Sequence, residues 1–324
     1  MHAAIMKTSH GRFLLLVGLF FGCEAVQTTP GATVVDSPSM VDQAAALTIH
    51  MVDVGQGDGM LVKTPSGVVI AIDGGPDRSG SYADYIKKLG ITKIDYVILS
   101  HAHSDHYTGL GTAIGLLPKD CEARVFDPGL ARPDITGYQY IRDTAGCRYR
   151  SLTLNQSLLL DPKLELSVMG VSDVPYPQND GTGINNTSAV IKLRYGSFSM
   201  LFTGDAQTES EKNLYMNFSM QLAANVLKIG HHGSCNATGT SLLKAVSPTY
   251  ALISSGGPTD PNMFGHPHCQ TLDKLRTSGV HYYRTDQNGD ISVISDGKVF
   301  AITPTRGAVD VAACPRACAQ PSDF

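Results

Sequence analysis

Apolar and polar positions alternate through Leu47-Thr48-Ile49-His50-Met51-Val52-Asp53-Val54, the period of a strand with one buried face. Two further runs, 60–63 and 68–72, continue a meander that Asp73-Gly74-Gly75 ends in a turn favouring positive φ. Tyr82, Tyr85, Ile86 and Leu89 share one face of a helix closed by Gly90. A buried strand follows at 94–99, then apolar residues at helical spacing from Thr108 to Leu117. Beyond it the pattern predicts strands at 124–126, 151–154 and 164–169, with a weak helix at 137–145. A hairpin over 188–195 and 197–203 turns at Gly196. Helices at 207–218, 241–246 and 269–278 alternate with strands at 225–229 and 250–255, and a hairpin over 291–294 and 299–302 closes the pattern. Strand blocks and helices alternating in two halves predict an α/β fold with two sheets face to face and helices outside. No domain boundary separates the halves, because each contributes loops to one candidate site.

The ends read differently. Lys7 and Arg12 precede a short apolar run, 13–21, which reads as a signal peptide over residues 1–22. Phe20-Phe21-Gly22-Cys23 resembles a bacterial lipobox with Phe where Leu is usual, so Cys23 is a possible lipid anchor; cleavage after Ala25 is the other outcome. Residues 23–45 read as a flexible tether, 46–304 as the folded domain and 305–324 as a peripheral tail. Beyond Cys23 six cysteines remain, an even number that suits an exported chain with disulfides. The expected pairs are Cys121–Cys147, Cys235–Cys269 and Cys314–Cys318; no CxxC pair supports metal ligation by cysteine instead. Removing Lys7 and Arg12 leaves 23 basic against 29 acidic residues. That balance argues against a long nucleic-acid groove, which needs a basic stripe.

The chemistry concentrates in Ser100-His101-Ala102-His103-Ser104-Asp105-His106, on a loop at the C-terminal end of a strand. His101 and His103 alternate and can point one way, while Asp105 and His106 face a second point, a pattern that suits two adjacent divalent metals. Three more strand-end loops carry metal-capable or polar residues: Asn185-Asn186-Thr187-Ser188, Asp205 after Gly204, and Gly230-His231-His232-Gly233-Ser234. Asp205 could instead cap the helix that follows, and Asn186 could equally cap backbone. The glycine turns contain no GxxxxGK[ST] phosphate loop.

These motifs, with Val52-Asp53-Val54-Gly55-Gln56-Gly57-Asp58, Phe202-Thr203-Gly204-Asp205, Leu227-Lys228-Ile229-Gly230, Phe264-Gly265-His266-Pro267 and Tyr283-Arg284-Thr285-Asp286-Gln287-Asn288-Gly289-Asp290, resemble the metallo-β-lactamase superfamily. Within it they resemble the soluble metallohydrolase domain of ComEC-type competence proteins, over residues 47–303, and the expectation is a stand-alone exported relative without that family's membrane channel. The resemblance implies an αββα sandwich and two metal ions, zinc or manganese. His101 and His103 would hold the first metal. Asp105, His106 and His231 (or His232) would hold the second, and Asp205 would bridge. A further imidazole for the first metal is missing, and Asn185 and Asn186 stand where it would be. Asp105 and His266 are the candidate catalytic residues; Asn186, His232, Ser234 and His266 are candidates for binding substrate. Asp58 and Asp73 are read as orienting or turn residues.

The function expected is an exported metal-dependent hydrolase acting through a metal-activated water, foremost a phosphodiesterase or nuclease on a small phosphodiester or a nucleic acid. An acyl or amide hydrolase of lactonase or β-lactamase type is the first alternative, since site and not fold sets activity. A non-catalytic module binding DNA or cell wall is the second. The expected location is the periplasm, a lipid-anchored envelope position or the extracellular space.

Overall fold

The computed structural model describes residues 31–76, 80–174, 182–256, 264–314 and 316–318. Residues 1–22, expected to be a signal peptide, and Cys23 lie outside the described residues. In the first sheet Leu47–Met51, Gly59–Lys63 and Val69–Gly74 form an antiparallel meander, flanked by the hairpin Ile291–Ser295 and Val299–Pro304. On its other side Tyr96–Ile98, Val125–Asp127 and Tyr149–Ser151 add in parallel. The second sheet repeats the plan. Ser157–Leu158, Glu165–Gly170, Val190–Tyr195 and Phe198–Phe202 run antiparallel. Val226–Lys228, Tyr250–Ile253 and His281–Arg284 then add in parallel.

Parallel neighbours need crossovers, and these are the helices that cover the outer faces. Leu61, Ala71 and Val97 of the first sheet pack on Tyr82 and Ile86 of helix Ser81–Lys88, Leu110 of Leu110–Gly115 and Ile141 of Thr136–Ala145. Leu201, Leu227 and Ala251 of the second pack on Leu214 of Thr208–Phe218, Leu242 of Thr240–Val246 and Leu272 of Cys269–Thr277. The alternate residues Met60, Ile72, Ile98, Phe202, Val226 and Leu252 meet between the sheets. The fold is the metallo-β-lactamase αββα sandwich, as the sequence pattern and the resemblance both lead one to expect. Strands from both sheets end at one edge of the shared core, and Ser100, Gly204, Lys228 and Ser254 each follow one of those inward residues by two positions.

Three expectations differ from the structure. Residues 31–45 are docked where a flexible tether was expected: Thr33–Val34 pairs in parallel with Val299–Phe300, Val41 is buried, and Ser37 and Asp42 cap short 3-10 turns. The tail is fastened rather than peripheral. Asp310 bonds to both sides of Tyr282, and two disulfides follow. The pairs are Cys121–Cys147, as expected from a short excursion, and then Cys235–Cys318 and Cys269–Cys314 in place of Cys235–Cys269 and Cys314–Cys318. The tail runs back over helix Cys269–Thr277, so its two cysteines reach outward instead of toward each other. These six cysteines should therefore show no free thiol in the unreduced chain after denaturation; two or more free thiols among them would contradict the pairing. Among the described residues no helix is long and apolar enough to cross a membrane.

Candidate metal centre

Backbone strain marks the site. Of seven described non-glycine residues at positive φ, three are here: Asp73, His231 and His232, at 53°, 47° and 54°. Such conformations cost roughly 1–3 kcal/mol each and persist where packing over-determines them. Gly57 shows the packing: a Cβ there would stand 2.2 Å from the carbonyl oxygen of Asp105, so only glycine lets Asp58 come in beneath the histidine loop.

Outer hydrogen bonds fix the imidazole tautomers. Ser100 donates its N–H and its hydroxyl to Asp73, each at 2.7 Å. With its proton so committed, Ser100 Oγ accepts from His101 Nδ1–H at 3.0 Å. His106 Nδ1–H donates to Asp73 at 2.8 Å, and His232 Nδ1–H to the Ser254 carbonyl at 3.0 Å. All three rings therefore turn a bare Nε2 inward. His106 Nε2 and His232 Nε2 face each other at 3.3 Å, and each lies 3.2 Å from Asp205 Oδ2. Asp105 Oδ2 is 3.4 Å from His232 Nε2. Ligands arranged tetrahedrally at 2.0–2.1 Å around zinc stand about 3.3 Å apart, so this near-equilateral triangle is the face of a coordination shell. Beside it, His101 Nε2 lies 3.0 Å from His103 Nδ1 and 3.8 Å from the same Asp205 Oδ2. Two metal-capable groups thus share Asp205, one with His106 and His232 and one with His101 and His103. Lone pairs meeting lone pairs, and an Asp205 Oδ1 and an Asn185 Oδ1 that are buried without a hydrogen-bond partner, fit divalent cations.

The electrostatics agree. Burial opposes the charged form of His106 and His232, yet Asp205 and the other carboxylates facing them raise both well above an ordinary imidazole. Burial likewise opposes ionisation of Asp205, and His232 and His106 outweigh it. Burial lowers His101 and His103. The pocket calls for positive charge at the shared oxygen.

Asp58 lies on the other side of the rings. It is 3.4 Å from His232 Nδ1 and 3.8 Å from His106 Nδ1, and it pairs with Lys228, both side chains being fully buried. Lys228 also donates to the Gly204 carbonyl at 2.8 Å and stands 3.7 Å from Asp205 Oδ1. Burial opposes ionisation of Asp58, and the Lys228 ammonium and the imidazoles hold it below its usual range. Sequence reasoning gave Lys228 no role; a charge inside an otherwise apolar strand was the available signal.

The remaining candidates separate. His231 is 4.0 Å from Asp205, with Nε2 facing Asn185 and Nδ1 facing Gln207 and Asn236. Asn186 turns away from the histidines: its Oδ1 accepts from Gln207 N, Ser210 N and Ser210 Oγ at the start of helix Thr208–Phe218. Asn185 is the asparagine that faces the site. Ser234 is buried, its N–H given to His231 and its carbonyl taken by Ala237 and Thr271. His266 is buried with its ring 5.2 Å from that of His231, and its Nδ1 meets Gln56 Nε2 at 3.1 Å. Cys235, His268 and Cys318 also cluster, but the disulfide occupies both sulfurs.

The histidine loop is braced from behind by Glu211, which accepts from Thr238 N and Gly239 N, while Thr238 Oγ1 accepts from Gly230 N. Burial raises Glu211 to about 7 against those two N–H groups. A carboxyl raised on folding contributes stability that is complete below its unfolded value and fades as pH rises through the folded one. That window, from about pH 4.5 to about pH 7, should remove roughly 3 kcal/mol. Urea melts of Glu211→Gln across it should lack this slope, and a wild-type slope in the variant would contradict the assignment.

Comparison with known proteins fits this geometry. Residues 52–119 match the Metallo-beta-lactamase superfamily. The chain is 28% identical over 288 residues to ComE operon protein 3 of Bacillus subtilis, covering 81% of this chain and 35% of that protein. It is 28% identical over 255 residues to competence protein ComA of Neisseria gonorrhoeae, covering 76% and 32%. The chain thus spans about a third of the length of these curated relatives. Among solved structures, a variant of the β-hydroxylase CmlA, described from Streptomyces venezuelae, superposes with a TM-score of 0.52 at 12% identity, covering 76% of this chain and 53% of that one. At that identity the likeness speaks for the fold alone.

Proposed function

We propose that this chain, a metallo-β-lactamase-superfamily relative of the competence proteins, is an exported metal-dependent phosphodiesterase acting on nucleic acid. The observation that carries the reading is Asp205 Oδ2 shared between two groups of inward imidazoles. Paired cations, when bound there, would polarise phosphoryl oxygens and lower the pKa of water. The likeness to a competence protein favours a nucleic-acid substrate. Three disulfides and the N-terminal pattern favour an oxidising compartment outside the cytoplasm.

The chain's own residues divide the work. His101, His103, Asp205, His106 and His232 would hold the metals, with Asp105 beside the second and Asn185 beside the first. Asp73, Ser100 and the Ser254 carbonyl fix which ring nitrogen faces inward. Asp105, partly exposed, is held well below the usual carboxylate range because His106 and His232 outweigh its burial, so it is ionised and available as a ligand. His266 is pushed down to about 2 by burial and by the neighbouring imidazoles, so it is neutral at working pH. Gln56 accepts from Gly256 N through Oε1, which turns its amide N–H toward His266 Nδ1 and leaves the proton on Nε2. His266 is thereby a hydrogen-bond donor to a substrate oxygen and a poor source of a full proton.

The test is a panel. Metal-loaded protein is offered single-stranded DNA, a chromogenic phosphodiester, a lactone and a cephalosporin. Turnover of the phosphodiesters supports the reading; turnover of the lactone or cephalosporin alone replaces it with acyl transfer.

A further inference from the structure

An exposed ring stands at the outer end of the histidines. Phe264 is 62% exposed, and its ring lies 5.8 Å from that of His266, within 18° of parallel. His266 in turn lies 5.2 Å from His231 and 6.2 Å from His232, ring to ring. The chain of rings leads from solvent to the metal centre. The C-terminal strap meets it there. Cys314 and Cys318 are bonded to Cys269 and Cys235, and Cys235 is three residues past His232. Between the two anchors Arg316 accepts from Cys269 N and bridges to His268. Its exposed side chain crosses Gly265, where a Cβ would stand 2.8 Å from Arg316 Cβ and 3.2 Å from Cδ. Gly265 has φ +70°, so any side chain there would be strained as well as obstructed. Phe264 is thus followed directly by a glycine over which the Arg316 side chain lies, one residue before His266.

We propose that Phe264 and Arg316 form a subsite for one unstacked base and its phosphate, so that the substrate is single-stranded nucleic acid. This rests on the phosphodiesterase reading and names its substrate class. A base stacks on an aromatic face whatever its identity, and a guanidinium matches phosphate oxygens in plane. In a duplex both faces of each base are already covered, which leaves Phe264 nothing to hold. The acidic chain offers no long phosphate track, so recognition is confined to a few nucleotides at the metal centre. Four carboxylates, Asp58, Asp73, Asp105 and Asp205, would repel a phosphate at the core, and Arg316 offers it an anchor at the rim. The two tail disulfides then serve the site, holding that anchor in place.

The test uses the full exported chain, metal-stripped and metal-loaded, titrated by fluorescence anisotropy with labelled oligothymidylate and an abasic strand of equal length. Phe264→Ala should cut the preference for the base-bearing strand about tenfold, and Phe264→Tyr should keep it. Arg316→Ala should weaken both strands alike and flatten the slope of log affinity against log salt by roughly 0.7, while Arg316→Lys keeps that slope. An unchanged base preference in Phe264→Ala, or an unchanged salt slope in Arg316→Ala, overturns the subsite. Hydrolysis of a chromogenic phosphodiester by the wild type separates the two claims. Turnover without Phe264-dependent binding removes the subsite alone; Phe264-dependent binding without any turnover removes the phosphodiesterase reading alone.

Discussion

Asp205→Asn should purify folded, short of both cations, with hydrolysis down at least ~100-fold, the upper end of what even a ligand's outer partners cost. One oxygen of Asp205 touches both groups of imidazoles, at 3.2 Å from His106 and His232 and 3.8 Å from His101. An amide nearly preserves the shape and removes the charge, so the loss reads the electrostatic role and not a cavity. Asp58→Asn is the contrasting variant. Its carboxylate faces the Nδ1 sides of the same rings and is paired with Lys228. Breaking one partner of a fully buried pair costs about 3–5 kcal/mol. Its main effect should be a lower melting temperature, with metal content closer to wild type. Metal analysis and thermal melts of the two variants check the contrast. Asp205→Asn carrying two metals and turning over normally would sink the shared-site reading.

The layers of the fold were legible because the strand period and the helix period are distinct and each crossover is short. The site was legible at the level of loops, since His101, Asp205 and His232 each lie just past the end of a strand. What adjacency hides is direction. His231 and His232 are equivalent in sequence; positive φ at both and the Ser254 carbonyl decide that His232 presents Nε2 to Asp205 while His231 stands a layer out. Asn185 and Asn186 divide in the same way, one toward the histidines and one onto a helix start. The tail disulfides were illegible because spacing carries no information on where a long segment returns. Cys121 and Cys147 bracket a single excursion, and there spacing was enough.

The two metal positions should differ in affinity, and the donor sets say which is weaker. The position at His106 and His232 has three inward atoms within 3.2–3.3 Å of one another, with Asp105 next to them. The position at His101 and His103 has unequal spacings, 3.0 and 3.8 Å, and the side chain of Asn185 stands beside His103. An amide oxygen and water suit manganese better than they suit zinc. One metal should therefore survive purification and mild chelation, while the other leaves together with activity. Manganese should restore turnover at least as well as zinc. Asn185→His should reverse this order by giving the weaker position a third imidazole: metal retention through chelation rises toward two per chain, and zinc gains on manganese. Titrating stripped wild type and Asn185→His, with metal content and turnover measured in the same samples, decides the matter. Two positions filling with equal affinity in the wild type, or full activity with one metal per chain, would contradict it.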